Sequence, residues 1–161
     1  MYLATTALEE YWDKSQKILF LGEWCKLYGR KEEWEKLAYE TLPYHWDDRK
    51  RLRRDYAYLR NLFETILAQL SQHLNELHRC DHTARFWRIV VGPWLSAFLD
   101  VSLDRYLSIV SAAELKLVSN TIIPHISDHY LWTSIQTGWF YHLAYSDDFN
   151  VDLYARIIRY L

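Results

Sequence analysis

From residue 49 to residue 79, Leu52, Tyr56, Leu59, Phe63, Ile66, Leu70, Leu74 and Leu77 step by threes and fours, with no Gly or Pro between them. That spacing predicts one amphipathic helix, about 45 Å long at about 1.5 Å per residue. Ahead of it the pattern is shorter in period. Residues 2–7 and 17–21 are apolar runs that predict strands, and the second stops at Gly22. Residues 8–14 carry charge and predict a turn or a short helix. Residues 31–42 place Trp34, Leu37 and Ala38 at helical spacing and predict a helix ending before Pro43. A polar-aromatic loop, Tyr44-His45-Trp46-Asp47-Asp48, follows, and its aspartates suit the start of the long helix.

Beyond the long helix, Cys80-Asp81-His82-Thr83 breaks the pattern, and Thr83 can cap a second helix. Gly92-Pro93 should kink or restart that helix, which continues through Leu95, Phe98, Leu99, Leu103, Tyr106, Ile109 and Val110. Residues 118–123 predict a third strand ending at Pro124, and residues 125–146 are aromatic and ambiguous. Residues 147–150 cap a last helix with Tyr154, Ile157, Ile158 and Leu161 on one face. No Gly, Asn or Pro signal closes that helix, and the strands are too few for a closed α/β sheet. The expectation is a helix-rich α/β chain whose residues 1–161 form a single partial domain.

Composition changes the picture in one respect. Aromatic residues make up 17% of the 161, with 8 Trp and 13 Tyr, which favours ring-rich cores, interfaces or stacking platforms. A formal charge of −2 gives no support to a nucleic-acid binder. Cys25 and Cys80 are far apart and fit two free thiols in a reducing compartment. The first residues lack the basic and apolar regions of a secretory signal, and no apolar run approaches the roughly 18 residues of a membrane span. A cytoplasmic location is the expectation.

Several segments carry candidate chemistry. Glu23 and Trp24 follow directly on the strand that stops at Gly22, where ligands of open α/β sheets bind. His45 is a candidate general base, with Asp48 to orient it or a substrate hydroxyl, and Trp46 beside them. Arg85 and Arg88 share a helix face near Trp94 and suit an acidic sugar or a phosphate. The basic run Arg49-Lys50-Arg51-Leu52-Arg53-Arg54 offers contact with an anionic membrane surface. Each has a plainer reading: a packed Trp, helix caps, a solvated face balanced by Asp47, Asp48 and Asp55, or ion-paired arginines. The seven histidines show no zinc pattern. His78 and His82 are separated by a helix break, and His125 and His129, with Asp128, lack a third ligand.

Leu3-Ala-Thr-Thr-Ala-Leu-Glu-Glu10, Ile18-Leu-Phe-Leu-Gly-Glu-Trp-Cys25 and Leu42-Pro-Tyr-His-Trp-Asp-Asp-Arg49 occur in that order. Together with Leu74-Asn-Glu-Leu-His78, Phe86-Trp-Arg-Ile-Val-Val-Gly-Pro-Trp-Leu95, Asp104-Arg105 and Ser146-Asp-Asp-Phe-Asn150, they resemble a family of transferases. Its members are encoded in bacterial O-antigen and surface-polysaccharide gene clusters, and the likeness is densest over residues 3–110. The resemblance implies the N-terminal, acceptor-side segment of a longer glycosyltransferase with two Rossmann-like lobes (GT-B-like). The C-terminal, donor-binding lobe would then be absent. It further implies a nucleotide-sugar donor for the full-length protein, no other cofactor, and a glycan or lipid-linked acceptor. The location implied is cytoplasmic, peripheral at the inner membrane. Glu23, His45 and Asp48 are then the candidate catalytic residues, with Trp24, Trp46, Arg85, Arg88 and Trp94 as candidate substrate contacts, and no metal. The alternative expectation is a non-catalytic remnant, or a split-protein half that binds a partner or a glycan.

Overall fold

In the computed structural model, which describes residues 1–123 and 137–161, the chain builds a small parallel sheet first and then covers it with helices. Strands β1 (Tyr2–Ala4), β2 (Ile18–Phe20) and β3 (Tyr39–Thr41) lie side by side in that order, all parallel. Tyr2 pairs with Ile18, and Ile18 with Tyr39. Alternation sends Ile18 and Phe20 to one face and Leu19 and Leu21 to the other. All four are at most 1% exposed, so both faces are covered, as a parallel sheet requires. On the Phe20 side, the Trp12 and Tyr39 rings meet Phe20 edge-on at centroid distances of 4.9 and 5.5 Å, and Trp34 meets Tyr39 at 5.9 Å.

The helical part consists of α1 (Lys31–Trp34), α2 (Arg49–His78), α3 (Ala84–Val90), α4 (Gly92–Glu114), α5 (Thr137–Ala144) and α6 (Asp147–Tyr160). Ile109 and Ala112 of α4 and Tyr154 of α6 join the buried cluster around the strands. Leu59 and Leu67 of α2 pack with Trp87, Leu95 and Leu99 in a second cluster. Ala97, Phe140, Ala144, Phe149 and Leu153 form a third, between α4, α5 and α6. Side chains set the helix starts: Asp48 accepts from the Lys50 N–H, Thr83 from Phe86 and Ser146 from Phe149. At Gly92-Pro93, α3 and α4 meet at a bend of 67°. No single helix among the described residues is long and apolar enough to cross a membrane.

Two expectations are corrected. Residues 31–42 do not form a helix: after the single turn of α1 the chain extends and becomes β3. Ile18 N–H donates to Ala38 O and Leu42 N–H to Phe20 O, both at 2.9 Å. Pairing with β2 overrides the helix propensity of the segment. Residues 118–123 do not complete a strand. They meet β1 through one parallel bridge, Tyr2 with Asn120, reinforced by Leu3 N–H to Asn120 O at 2.9 Å and Thr121 Oγ1 to Leu3 O at 2.8 Å.

Candidate functional site

Because the strands are parallel, the connections after β2 and β3 leave the sheet at the same end. Gly22 is fully extended there and is followed by a single turn, Glu23–Cys25. A Cβ on Gly22 would lie 2.2 Å from the Trp24 ring, so the bare backbone lets that ring lie close. After β3, Leu42-Pro43-Tyr44 runs into a second turn, His45–Asp47, and then into α2. Facing both connections is α4, with Asp104 and Arg105. These residues enclose a pocket of about 470 Å³ lined by Glu23, Trp24, Thr41, Tyr44, Asp47, Asp104 and Arg105, among others.

Asp104 organises the pocket. It is buried, and its Oδ1 accepts from the Tyr44 hydroxyl at 2.7 Å. The Arg105 guanidinium bonds its other oxygen and reaches Asn150 Oδ1 at 2.8 Å, which ties the pocket to α6. His45 Nε2 lies 3.5 Å from Asp104 Oδ1 but makes no hydrogen bond. Burial lowers the His45 pKa, and it outweighs the opposing pull of Asp104, so the imidazole is neutral at neutral pH. Burial and the bond to Asp104 push the Tyr44 phenol well above its usual range. That hydroxyl is therefore a donor and not a base. Thr41 Oγ1 is likewise buried without a hydrogen-bond partner among the described residues. Two orphaned polar atoms thus lie near one pocket, Thr41 Oγ1 on a residue of its lining and His45 Nε2 behind it.

The remaining candidates from the sequence separate in space. Glu23 stands at the pocket mouth with its side chain 81% exposed, paired to Lys26 at 3.1 Å. Trp24 lies beside it, 42% exposed, its ring edge-on to Tyr44 at 6.5 Å. His45 sits behind the lining. Asp48 caps α2 by accepting from the Lys50 N–H at 2.8 Å and does not line the pocket. Trp46, whose Nε1 donates to Asp55 at 3.1 Å, and Arg88, bonded to Glu64, line a different cleft. Arg85 is exposed on α3 and lines neither. Trp94 stacks on Phe98 at 5.2 Å inside the helical packing.

Tyr44, Asp104 and Arg105 line the pocket although no sequence motif marks them as catalytic or substrate-contact residues. Asp104 stands 60 residues from Tyr44 on a helix, with nothing local to single it out. Cys25 is excluded as a nucleophile: its thiol is buried, donates to Ala4 O at 3.4 Å, and has its pKa pushed up to about 12 by burial. Among the described residues, no group of three or more His, Cys, Asp or Glu side chains could hold a metal. His125, Asp128 and His129 lie outside the described residues. Part of the basic run is engaged, since Arg51 and Arg54 both approach the Asp55 carboxylate, at 3.7 and 3.3 Å.

A parallel sheet with a pocket at the strands' carboxyl ends is the ligand-binding layout of many α/β enzymes, and the family model identifies the class as a transferase. The match to the LIC12162 family transferase extends over residues 1–161, and the chain belongs to that family. No curated protein and no solved structure matches the chain significantly.

Proposed function

We propose that this transferase acts on carbohydrate in the assembly of an O-antigen or another cell-surface polysaccharide, and that the strand-end pocket holds the acceptor. The observation that carries the reading is the pocket itself: a buried Asp104 fixed by Tyr44 and Arg105, with unsatisfied His45 and Thr41 atoms nearby. In this reading the chain is a Rossmann-like, acceptor-side lobe, and a nucleotide-sugar donor is bound by a second lobe. Glu23, the exposed carboxylate at the mouth, takes the proton from the acceptor hydroxyl. Trp24 and Tyr44 supply ring surface to the sugar, and Asp104 accepts from its hydroxyls. Tyr44 and Arg105 position Asp104, and neutral His45 lies behind it without a hydrogen bond. Asp48, Arg85 and Trp94 have no part in this assignment. The exposed residues of the basic run, Arg49, Lys50 and Arg53, remain free to meet an anionic inner-membrane surface.

The split-protein alternative draws on a different observation. Trp139, Tyr141 and Tyr145 of the α5 region are 51, 48 and 87% exposed, and rings of this kind are enriched where proteins meet.

The test is complementation of a strain lacking the gene, scored by its surface polysaccharide, alongside turnover of nucleotide-sugars by the chain together with a donor-binding lobe. Glu23→Gln should abolish polymer with an unchanged melting temperature, because its side chain is exposed. Asp104→Asn should lower both activity and stability. Full polymer synthesis by Glu23→Gln removes Glu23 as the base, and full synthesis by both variants removes the pocket as the acceptor site.

A further inference from the structure

The cleft between α2 and the α3–α4 pair is separate from the strand-end pocket and has no role in the function proposed above. It holds about 500 Å³, within the roughly 300–1,000 Å³ typical of small-ligand sites. Trp46, Tyr56 and Phe63 bring rings to its lining. Trp46 is held in place through its bond to Asp55, while Tyr56 is 62% exposed and open to a ligand.

Four charged side chains share the lining: Arg60, Glu64, Arg88 and Asp100. Arg88 and Glu64 are engaged with each other through both guanidinium nitrogens. Arg60 lies within electrostatic reach of Glu64, yet neither Arg60 nor Asp100 makes a hydrogen bond or ion pair among the described residues. Partial burial raises the Asp100 pKa, and the residue stays exposed on the cleft, so its carboxyl is open to a ligand hydroxyl.

The balance of charge selects the ligand class. An anion would meet Glu64 and Asp100, and a cation would meet Arg60 and Arg88. A neutral polyol meets no repulsion, because its hydroxyls both donate to a carboxylate and accept from a guanidinium. A pyranose adds an apolar C–H face that fits a ring wall.

We propose that this cleft binds one neutral pyranose unit of a glycan, with its hydroxyls held between Asp100 and Arg60 and its C–H face on Tyr56. The site does not depend on catalysis at the strand ends.

Saturation-transfer NMR on the whole chain tests it, with the methyl glycosides of glucose, galactose, mannose and N-acetylglucosamine as probes and inorganic phosphate as an anionic competitor. At least one glycoside should bind and phosphate should not displace it. Asp100→Asn and Tyr56→Ala should each weaken binding about tenfold, the effect of losing one charge-assisted hydrogen bond or a ring contact. Both positions border the open cleft, and circular dichroism confirms the fold of each variant; Arg60→Met replaces either one that misfolds. Absence of binding by all four glycosides, undiminished binding by the variants, or displacement by phosphate overturns the proposal. Loss of binding in Glu23→Gln instead would place the sugar at the strand ends, overturning this site while supporting the acceptor pocket.

Discussion

His45 shows how much one buried ring constrains the pocket. Its neighbours compete: Asp104 and Asp55 favour the proton, while burial, Arg51 and Arg105 oppose it, and the opposition wins. An imidazole that resists protonation when folded takes up a proton when the chain unfolds, near pH 6.5. Stability from this group is therefore complete above about pH 6.5 and falls as the pH drops through that value toward the lower folded pKa. The carboxylates of Glu9 and Glu64, lowered by Arg30 and Arg88, lose their contribution only below about pH 4.5, so the two windows are distinct. Melting temperatures between pH 7.5 and 5.5 should decline for the wild type and flatten for His45→Gln. An equal decline in both would show that His45 does not set this dependence. Of the site, Glu23 and Trp24 were legible because they follow a strand directly. His45 reads from the sequence as a candidate general base, but no local pattern tells that burial places it behind the lining. Tyr44, Asp104 and Arg105 meet only through folding, and no local pattern encodes a contact across 60 residues.

At the scale of elements, the turn between α2 and α3 depends on one side chain. Asn75 Oδ1 accepts from Trp87 Nε1 at 2.8 Å, from His82 N–H at 3.1 Å and from Cys80 Sγ at 3.4 Å, while its Nδ2 donates to His82 O at 2.9 Å. Arg79, with φ of 53°, reverses the chain within this clasp. Asn75→Ala strands the donor of the buried Trp87 ring and should cost about 2 kcal/mol in urea unfolding. Asn75→Asp keeps the acceptor and should cost less, although its charge at the carboxyl end of α2 opposes the dipole. Equal losses would mean that the Nδ2 bond, not the triple acceptor, holds the turn. Helix α2 was legible almost to the residue because its 30 positions repeat one period over many turns. Strand β2 was legible because an unbroken apolar run ends at Gly22. Strand β3 was not, since Lys31-Glu32-Glu33-Trp34-Glu35-Lys36-Leu37 has helix-forming residues and only the edge of β2 draws Tyr39–Thr41 into the sheet. A pairing partner 21 residues away leaves no trace in a local pattern.

Across the whole molecule, α4 joins what would otherwise be separate cores. Its Ile109 and Ala112 pack with the strands, its Leu95 and Leu99 with α2 and Trp87, and its Ala97 with α5 and α6. Helix α6 adds a second link, with Tyr154 in the strand cluster and Phe149 and Leu153 in the third. A rigid helix shared by all three clusters cannot leave one of them without exposing the others, so the described parts should unfold as one cooperative unit. Leu67 tests this from the far side. It is 1% exposed on α2 and belongs to the second cluster, which takes no residue from the strands. Leu67→Ala should cost about 3 kcal/mol through lost transfer energy and the cavity left behind. In urea, the far-UV signal, dominated by the helices, and the tryptophan signal, which includes Trp12 against Phe20, should shift to the same lower midpoint. If the helical transition moved alone while part of the tryptophan signal kept its wild-type midpoint, α4 would not couple the clusters. The strand-end pocket would then stand on a sheet able to hold its shape without α2.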